Sequence, residues 1–354
     1  MSQGIGYIAL FDKNWQALGN WTNHICREWS LTRKAYESDE FSATCQGWEN
    51  SANACYVGLF TPSGSLKYVA FAGIPTSTKE GFTTINAIDC RSVFNQQLVV
   101  DYTKQTAGSY VVTSPRTLFE YLMQTVFSDN SVELGITYSI NVTDLDFLES
   151  AWNENYIVRS KEVRNVYEEL QAACMLYNIY IEVSATVTAN NAYQLVFTAK
   201  RIINSRPIKL ADYDVHMKRT YGTPNRAIYG TLDGSKGYLY LNNDNSITTS
   251  YNSSKAVFPL VTISTIGDDA AESLTQAYKT LSENRFKDRV TIDLNSKLGS
   301  TLSDMDFSYY GVLVGYNPAD QSSSKELPVS AIKEDSRGNK SIQFGRLSEY
   351  WFMD

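Results

Sequence analysis

Two stretches carry residues spaced as if for chemistry. The first is GTLDGSKGYLYL at 230–241. A phosphate-binding loop needs four residues between its first Gly and a Gly-Lys-Ser/Thr triplet, so that backbone N–H groups ring the phosphates and the hydroxyl holds Mg²⁺. Here three residues separate Gly230 from Gly234, Ser235 parts Gly234 from Lys236, and Gly237 stands where the hydroxyl belongs. The stretch reads instead as a hairpin turning at Asp233-Gly234, with strand formers on both flanks. The second is DLNSKLGS at 293–300. Asp293 and Asn295 sit two apart as in a calcium loop, but Leu298 holds the position that requires Gly and no Glu closes the loop. It reads as a strand end and turn.

The chain has two histidines, His24 and His216. His24 and Cys26 share one face of a strand, a spacing too long for the hydrogen bond of a Cys–His nucleophile. No H-E-x-x-H and no Cys/His cluster with zinc spacing occurs. Three Asp-x-Asp pairs remain: Asp144/Asp146, Asp212/Asp214 and Asp304/Asp306. A glycosidase needs two carboxyls about 5–9 Å apart across the sugar, and such a pair on a strand meets that distance. Solvated strand edges carry the same pattern. Neither G-x-S-x-G nor G-x-G-x-x-G is present. No catalytic, cofactor-binding, metal or oligomer-interface residue is therefore assigned, and no cofactor is expected. Two other readings stand beside a structural role: a cell-wall or glycoside hydrolase built on a carboxylate pair, and a β protein that stacks sugars on its tryptophans.

Bulk properties set the frame for these residues. The 354-residue chain is 43% hydrophobic, enough for more than one core, and carries a net charge of −7. An acidic chain gains no counterion-release affinity for nucleic acid, so sequence-specific nucleic-acid binding is not expected. Lys200-Arg201 and Lys218-Arg219 read as strand ends. Aromatic content is 13%, with 24 Tyr, which favours pleated, half-buried surfaces and interfaces. Five cysteines, an odd number without a C-x-x-C pair, fit reduced thiols in a protein made in a cytoplasm, while their spacing leaves a disulfide between two of them open. No apolar run is long enough to span a bilayer, and no classical signal is read.

Elements follow from periodicity. GYIALFD, CYVGLF, LKYVAFAG, FTTINAIDC and QQLVVDY read as strands, with TPSGS turning one hairpin. Ser114-Pro115 opens a helix marked by Leu118, Phe119, Leu122 and Val126. A second helix is expected over 161–177, its buried stripe running from Val163 through Val166, Leu170 and Cys174. Alternating strands follow at 179–187 and 193–197. Asp269 and Glu272 have capping-box spacing ahead of a helix whose apolar face is Leu274, Ala277, Tyr278 and Leu281. RVTIDLN and YYGVLVGY are strands, NPADQSSSKELP is the most linker-like stretch, and SRGNK turns the last hairpin.

This order of signals resembles one family. GYIALFDKNWQALG, AGIPTSTKEGFTTINAIDCRSVFNQQLVVDY, VRNVYEELQAACMLYNIYIEV with YQLVFTAKR, PNRAIYGTLDGSKGYLYLNNDNSITT and AAESLTQAYKTLSENRFKDRVTIDLN are similar, in this sequence, to baseplate hub proteins of long-tailed phages. The matching part is the N-terminal structural module of siphophage tail-associated lysins, itself similar to the contractile-phage hub and to type VI secretion spikes. The resemblance covers essentially the whole chain and implies an α+β, β-rich fold: two small β-barrel-like domains with inserted α/β segments. It places the first barrel-like domain at 1–100 plus 203–236, the inserted α/β domain at 101–202, the second barrel-like domain with its helix at 237–308, and a C-terminal β segment at 309–354 packing on the insert or on the second barrel. It further implies a homotrimeric ring in the virion, at the tail tip, that closes the tail tube and opens for DNA to pass during infection. The implied partners are the distal tail protein ring, the tape-measure protein and receptor-binding proteins. The lysin activity of longer members is not implied, because the chain stops at SEYWFMD, and no site residue transfers.

Overall fold

The computed structural model describes residues 6–18, 25–46, 53–74, 76–77, 82–100, 114–134, 136–146, 162–187, 193–218, 223–257, 259–294, 302–317 and 322–345. Within them the first hundred residues form β1 (Tyr7–Phe11), β2 (Ile25–Lys34), β3 (Glu40–Gln46), β4 (Tyr56–Phe60), β5 (Leu66–Ala72), β6 (Thr76–Ser77), β7 (Phe82–Ile88) and β8 (Gln97–Val100). Next come α1 (Pro115–Leu134), β9 (Tyr138–Asn141), β10 (Glu162–Asn165), α2 (Val166–Tyr177), β11 (Ile179–Val187) and β12 (Tyr193–Arg201). The remainder holds β13 (Asn204–Lys209), β14 (Asp214–Lys218), β15 (Arg226–Gly230), β16 (Lys236–Leu241), β17 (Ile247–Thr248), β18 (Thr262–Ser264), α3 (Ala270–Glu283), β19 (Arg289–Leu294), β20 (Tyr309–Val314), β21 (Ser324–Asp335) and β22 (Lys340–Phe344). The fold is thus β-rich with three helices among the described residues.

A 13-stranded sheet runs β1-β4-β5-β7-β3-β2-β21-β22-β19-β14, with β6 on β7, β20 on β21 and β13 on β20. Side chains from its first six strands meet in one core, Ile8, Leu10, Trp29, Leu31, Phe41, Val57, Leu59, Tyr68 and Ile85 among them. The alternate residues of β1 and β4, Ala9, Phe11, Tyr56 and Phe60, face a second, larger core. These strands are therefore buried on both faces, and their continuous apolar runs follow from that. Among the described residues the pairing of the large sheet never returns to its first strand, so no closed barrel forms.

The other sheets are smaller. β11-β12-β9 backs α1 and α2, with Phe94, Phe127 and Phe197 in edge and tilted contact at its centre. β17-β16-β15-β18 carries α3 on one face, where Ala227, Leu239, Leu241, Ala277 and Leu281 are buried together. β8 pairs β10 alone.

Three local expectations change. The helix expected from 161 begins at Val166, because β10 occupies Glu162–Asn165 and the Asn165 side chain accepts the N–H groups of Tyr167 and Glu168 as N-cap. Val163, expected in the buried stripe, pairs with Val99 and is 65% exposed. The linker-like stretch runs into strand: Lys325–Pro328 pair with β20, and Pro328, lacking an N–H, sits just before the register shift between Val329 and Ala331. The 230–241 hairpin forms, but its strands part at Gly230–Lys236, leaving five loop residues. The positive φ falls on Gly230, at 135°, not on Asp233-Gly234. Gly237 is covered by the ring of its cross-strand partner Tyr229, which a Cβ there would strike at 2.3 Å.

Candidate functional site

Segment 34–39, between β2 and β3, is held by a buried ion cluster. Asp89 caps the 3₁₀ turn Cys90–Phe94, accepting from the Arg91 N–H, and turns Arg91 back towards β2. The Arg91 guanidinium donates to Asp89 Oδ2 at 2.8 Å, Asp39 Oδ1 at 2.7 Å, and the carbonyls of Lys34 and Glu37 at 2.8 and 2.7 Å. The Asp39 N–H donates to Asp89, and Asp39 accepts the Lys34 N–H. Two carboxylates thus share one guanidinium away from water. Burial pushes the Asp39 carboxyl up to about 7, with Arg91 pulling the other way.

A polar cavity of about 270 Å³ opens beside this cluster, between the large sheet and β11, lined by Arg33, Lys67, Tyr68, Glu182 and Phe307 as well as Asp39 and Arg91. Among the described residues the buried Tyr68 hydroxyl has no hydrogen-bond partner. Burial, with Asp39 and Asp89 nearby, pushes its pKa far up.

The sign of the Asp39 shift gives a prediction. Between its unfolded value of 3.8 and about 7 the folded chain holds a proton that the unfolded chain releases. The contribution therefore favours folding at pH 5 and fades as pH rises through about 7. Asp39→Asn is expected to flatten the dependence of the thermal midpoint on pH between 5 and 8, read by circular dichroism. An equal slope in the variant and the parent would show Asp39 ionised throughout.

A second buried cluster joins α2 to α3. Lys279 Nζ donates to both oxygens of Glu169 at 2.8 Å, and Arg164 donates to Oε1 at 3.1 Å. Burial works to raise the Glu169 carboxyl, but Lys279 and Arg164 hold it below the usual carboxylate range. A third cluster is centred on Asp288, which accepts from Lys325 at 2.8 Å and from the Tyr316 hydroxyl.

The structure gives each Asp-x-Asp pair separate surroundings. Asp144 accepts the Arg201 N–H at 2.8 Å, and Asp146 pairs with Arg116. Asp304 takes a two-pronged contact from Arg206 at 2.6 and 3.1 Å, while Asp306 accepts the Ser308 N–H. Asp212 ends a 3₁₀ turn. Asp214 instead joins His216 and Asp293: one ligand-type atom from each lies within 4.8 Å of the others. Sequence spacing links Asp214 to His216 but not to Asp293, which arrives on β19. His24 lies outside the described residues, as do Trp21, Trp48, Trp152 and Trp351. Trp15 and Trp29 are buried, Trp15 stacked on Tyr56 at 3.9 Å, so neither offers a sugar platform. Cys55 and Cys90 are free thiols.

The outer face of the small sheet is aromatic. Tyr238 and Tyr240 stack at 6.4 Å, Tyr251 meets Tyr240 edge-on at 5.5 Å, and the Arg226 guanidinium lies 5.8 Å from the Tyr238 ring centre. Tyr238 and Tyr251 are 43% and 54% exposed.

This fold is similar to that of two phage tail proteins, in line with the resemblance. The 43 kDa tail protein of prophage MuSo2 from Shewanella oneidensis is similar over 96% of this chain and 98% of its own, with a TM-score of 0.53 at 10% identity. The prophage tail protein gp18 from Listeria monocytogenes EGD-e is similar over 96% and 94%, with a TM-score of 0.53 at 11% identity. At these identities the likeness is one of fold. No protein-family model and no curated protein sequence matches the chain.

Proposed function

We propose that the chain is a structural protein of a phage tail: the hub at the tail tip, working as a homotrimeric ring that closes the tail tube and opens for DNA. The observation that carries this reading is the likeness of fold to two tail proteins along 96% of the chain. The partners in this reading are the distal tail protein ring, the tape-measure protein and receptor-binding proteins, and the role is not enzymatic. Three features support it. Buried ion clusters lock separate parts of the chain together, as suits a rigid building block. The Tyr/Arg face around Tyr238 has the composition of protein interfaces. The carboxylates of Asp144, Asp146, Asp304 and Asp306 are engaged in structural bonds. Two barrel-like domains with an inserted α/β domain, divided at 1–100 plus 203–236, 101–202, 237–308 and 309–354, remain part of this proposal. Strand pairing crosses those divisions, since β21 joins β2.

Light scattering on the purified chain is expected to give the mass of three 39.8 kDa copies, and class averages a threefold ring with a narrow or shut centre. A monomer at high concentration that clears cell-wall substrate would overturn the proposal in favour of the hydrolase.

A further inference from the structure

We infer that Asp214, His216 and Asp293 form a site for one divalent transition-metal ion of the zinc class, which pins the edge strand β14 to β19. β14 is the last strand of the large sheet and pairs antiparallel with β19, Asp214 directly opposite Asp293 and His216 opposite Thr291. Side chains two apart on a strand share a face, so all three groups project from the same side. Their other side is fixed: Val290 and Ile292, the residues that alternate with Thr291 and Asp293, are fully buried in the core. The ligand set therefore stands on a rigid platform of strands and not on a loop.

Distance and charge point the same way. His216 Nε2 lies 3.6 Å from Asp293 Oδ2. Two ligands of a tetrahedral ion at about 2.1 Å stand roughly 3.4 Å apart, so this pair is already at bonded spacing. The Asp214 carboxylate is within 4.8 Å of both partners, a gap that a side-chain rotation closes. Like charges directly opposite on an antiparallel pair weaken it, and Asp214 against Asp293 is such a pair. A divalent cation turns that repulsion into a cross-strand link. The donor set selects the class of ion: an imidazole with two carboxylates suits zinc and its neighbours, whereas calcium and magnesium take oxygen ligands. The His216 and Asp293 side chains are 70% and 47% exposed, so an ion reaches the site from solvent and water completes its coordination.

The test uses the full chain stripped with a chelator. Titration with zinc chloride in a calorimeter is expected to saturate at one ion per chain, in the micromolar range. Saturating zinc is expected to raise the thermal midpoint by about 2–4 °C. His216→Ala abolishes both responses and Asp293→Asn weakens binding at least tenfold. Both side chains are exposed, so in chelator the midpoint of His216→Ala matches the parent and that of Asp293→Asn, relieved of the repulsion with Asp214, is equal or higher, which separates lost binding from lost folding. Absence of saturable uptake overturns the site. So does undiminished uptake in His216→Ala, which places the ion elsewhere, such as on the exposed Cys55 thiol. An equal response to calcium chloride overturns the assignment of ion class.

Discussion

Arg91→Met should leave little folded protein. The guanidinium is the shared counter-charge of Asp39 and Asp89 and also holds the carbonyls of Lys34 and Glu37. Methionine fills much of the volume but supplies none of these donors. Two buried carboxylates then face each other without a cation, and the carbonyls between β2 and β3 lose their partner. Removing one member of a buried ion pair costs about 3–5 kcal/mol, and each orphaned carbonyl adds about 1–3 kcal/mol. Set against a domain stability of about 5–15 kcal/mol, the expected result is an aggregated or molten chain, read as loss of a cooperative urea transition. Arg91→Lys keeps the charge but not the flat fork of donors, and should fall between the two. A cooperative transition in Arg91→Met at the parent's midpoint would show that segment 34–39 is held by other means.

The second large effect lies between α2 and α3. Lys279→Met takes from buried Glu169 the ammonium that bonds both its oxygens, and a loss of about 3–5 kcal/mol is expected in urea unfolding. Glu169→Leu with Lys279→Met removes the Glu169–Lys279 pair and should recover part of that loss, the remainder being the cost of Arg164 losing its Glu169 acceptor. The double substitution falling below both single ones would mean that the cluster stabilises the joint outright. The Glu169 carboxyl is held below its ordinary range, so its contribution is present at neutral pH and is lost as pH falls through the folded value. The parent should therefore lose this advantage over Lys279→Met in acid.

The contrast between these two helices and the hairpins explains what was legible in the residues. Hairpins such as β4–β5 and β21–β22 were readable because their information is local: TPSGS and SRGNK supply the turns, Gly64 and Gly338 take φ of 88° and 82°, and alternation sets the faces. The α3 cap at Asp269 and the face of Ala277 and Leu281 were readable for the same reason. Its other face was not. Ser273, Thr275, Lys279 and Ser282 are buried although each is polar, and the arrival of Glu169 on α2 gives the buried Lys279 ammonium a carboxylate to bond. Asn165 decided where α2 begins, a capping signal hidden by the apolar spacing of Val163 and Val166 around it. Asp293 read as a strand end, and nothing near it announced His216. The site residues that emerge are the ones whose partners come from distant strands, which periodicity does not reach.

The pairing of β2 with β21 has a consequence for synthesis. Ser30–Lys34 take their hydrogen-bonded neighbours from Ala331–Asp335. While a ribosome is still translating, most of the chain is out in the cell with one flank of β2 bare, a row of unmet N–H and C=O groups that invites adhesion to any passing strand. Only when residues 331–335 clear the exit tunnel does that flank close. A copy lacking β21 keeps that flank bare and is expected to aggregate.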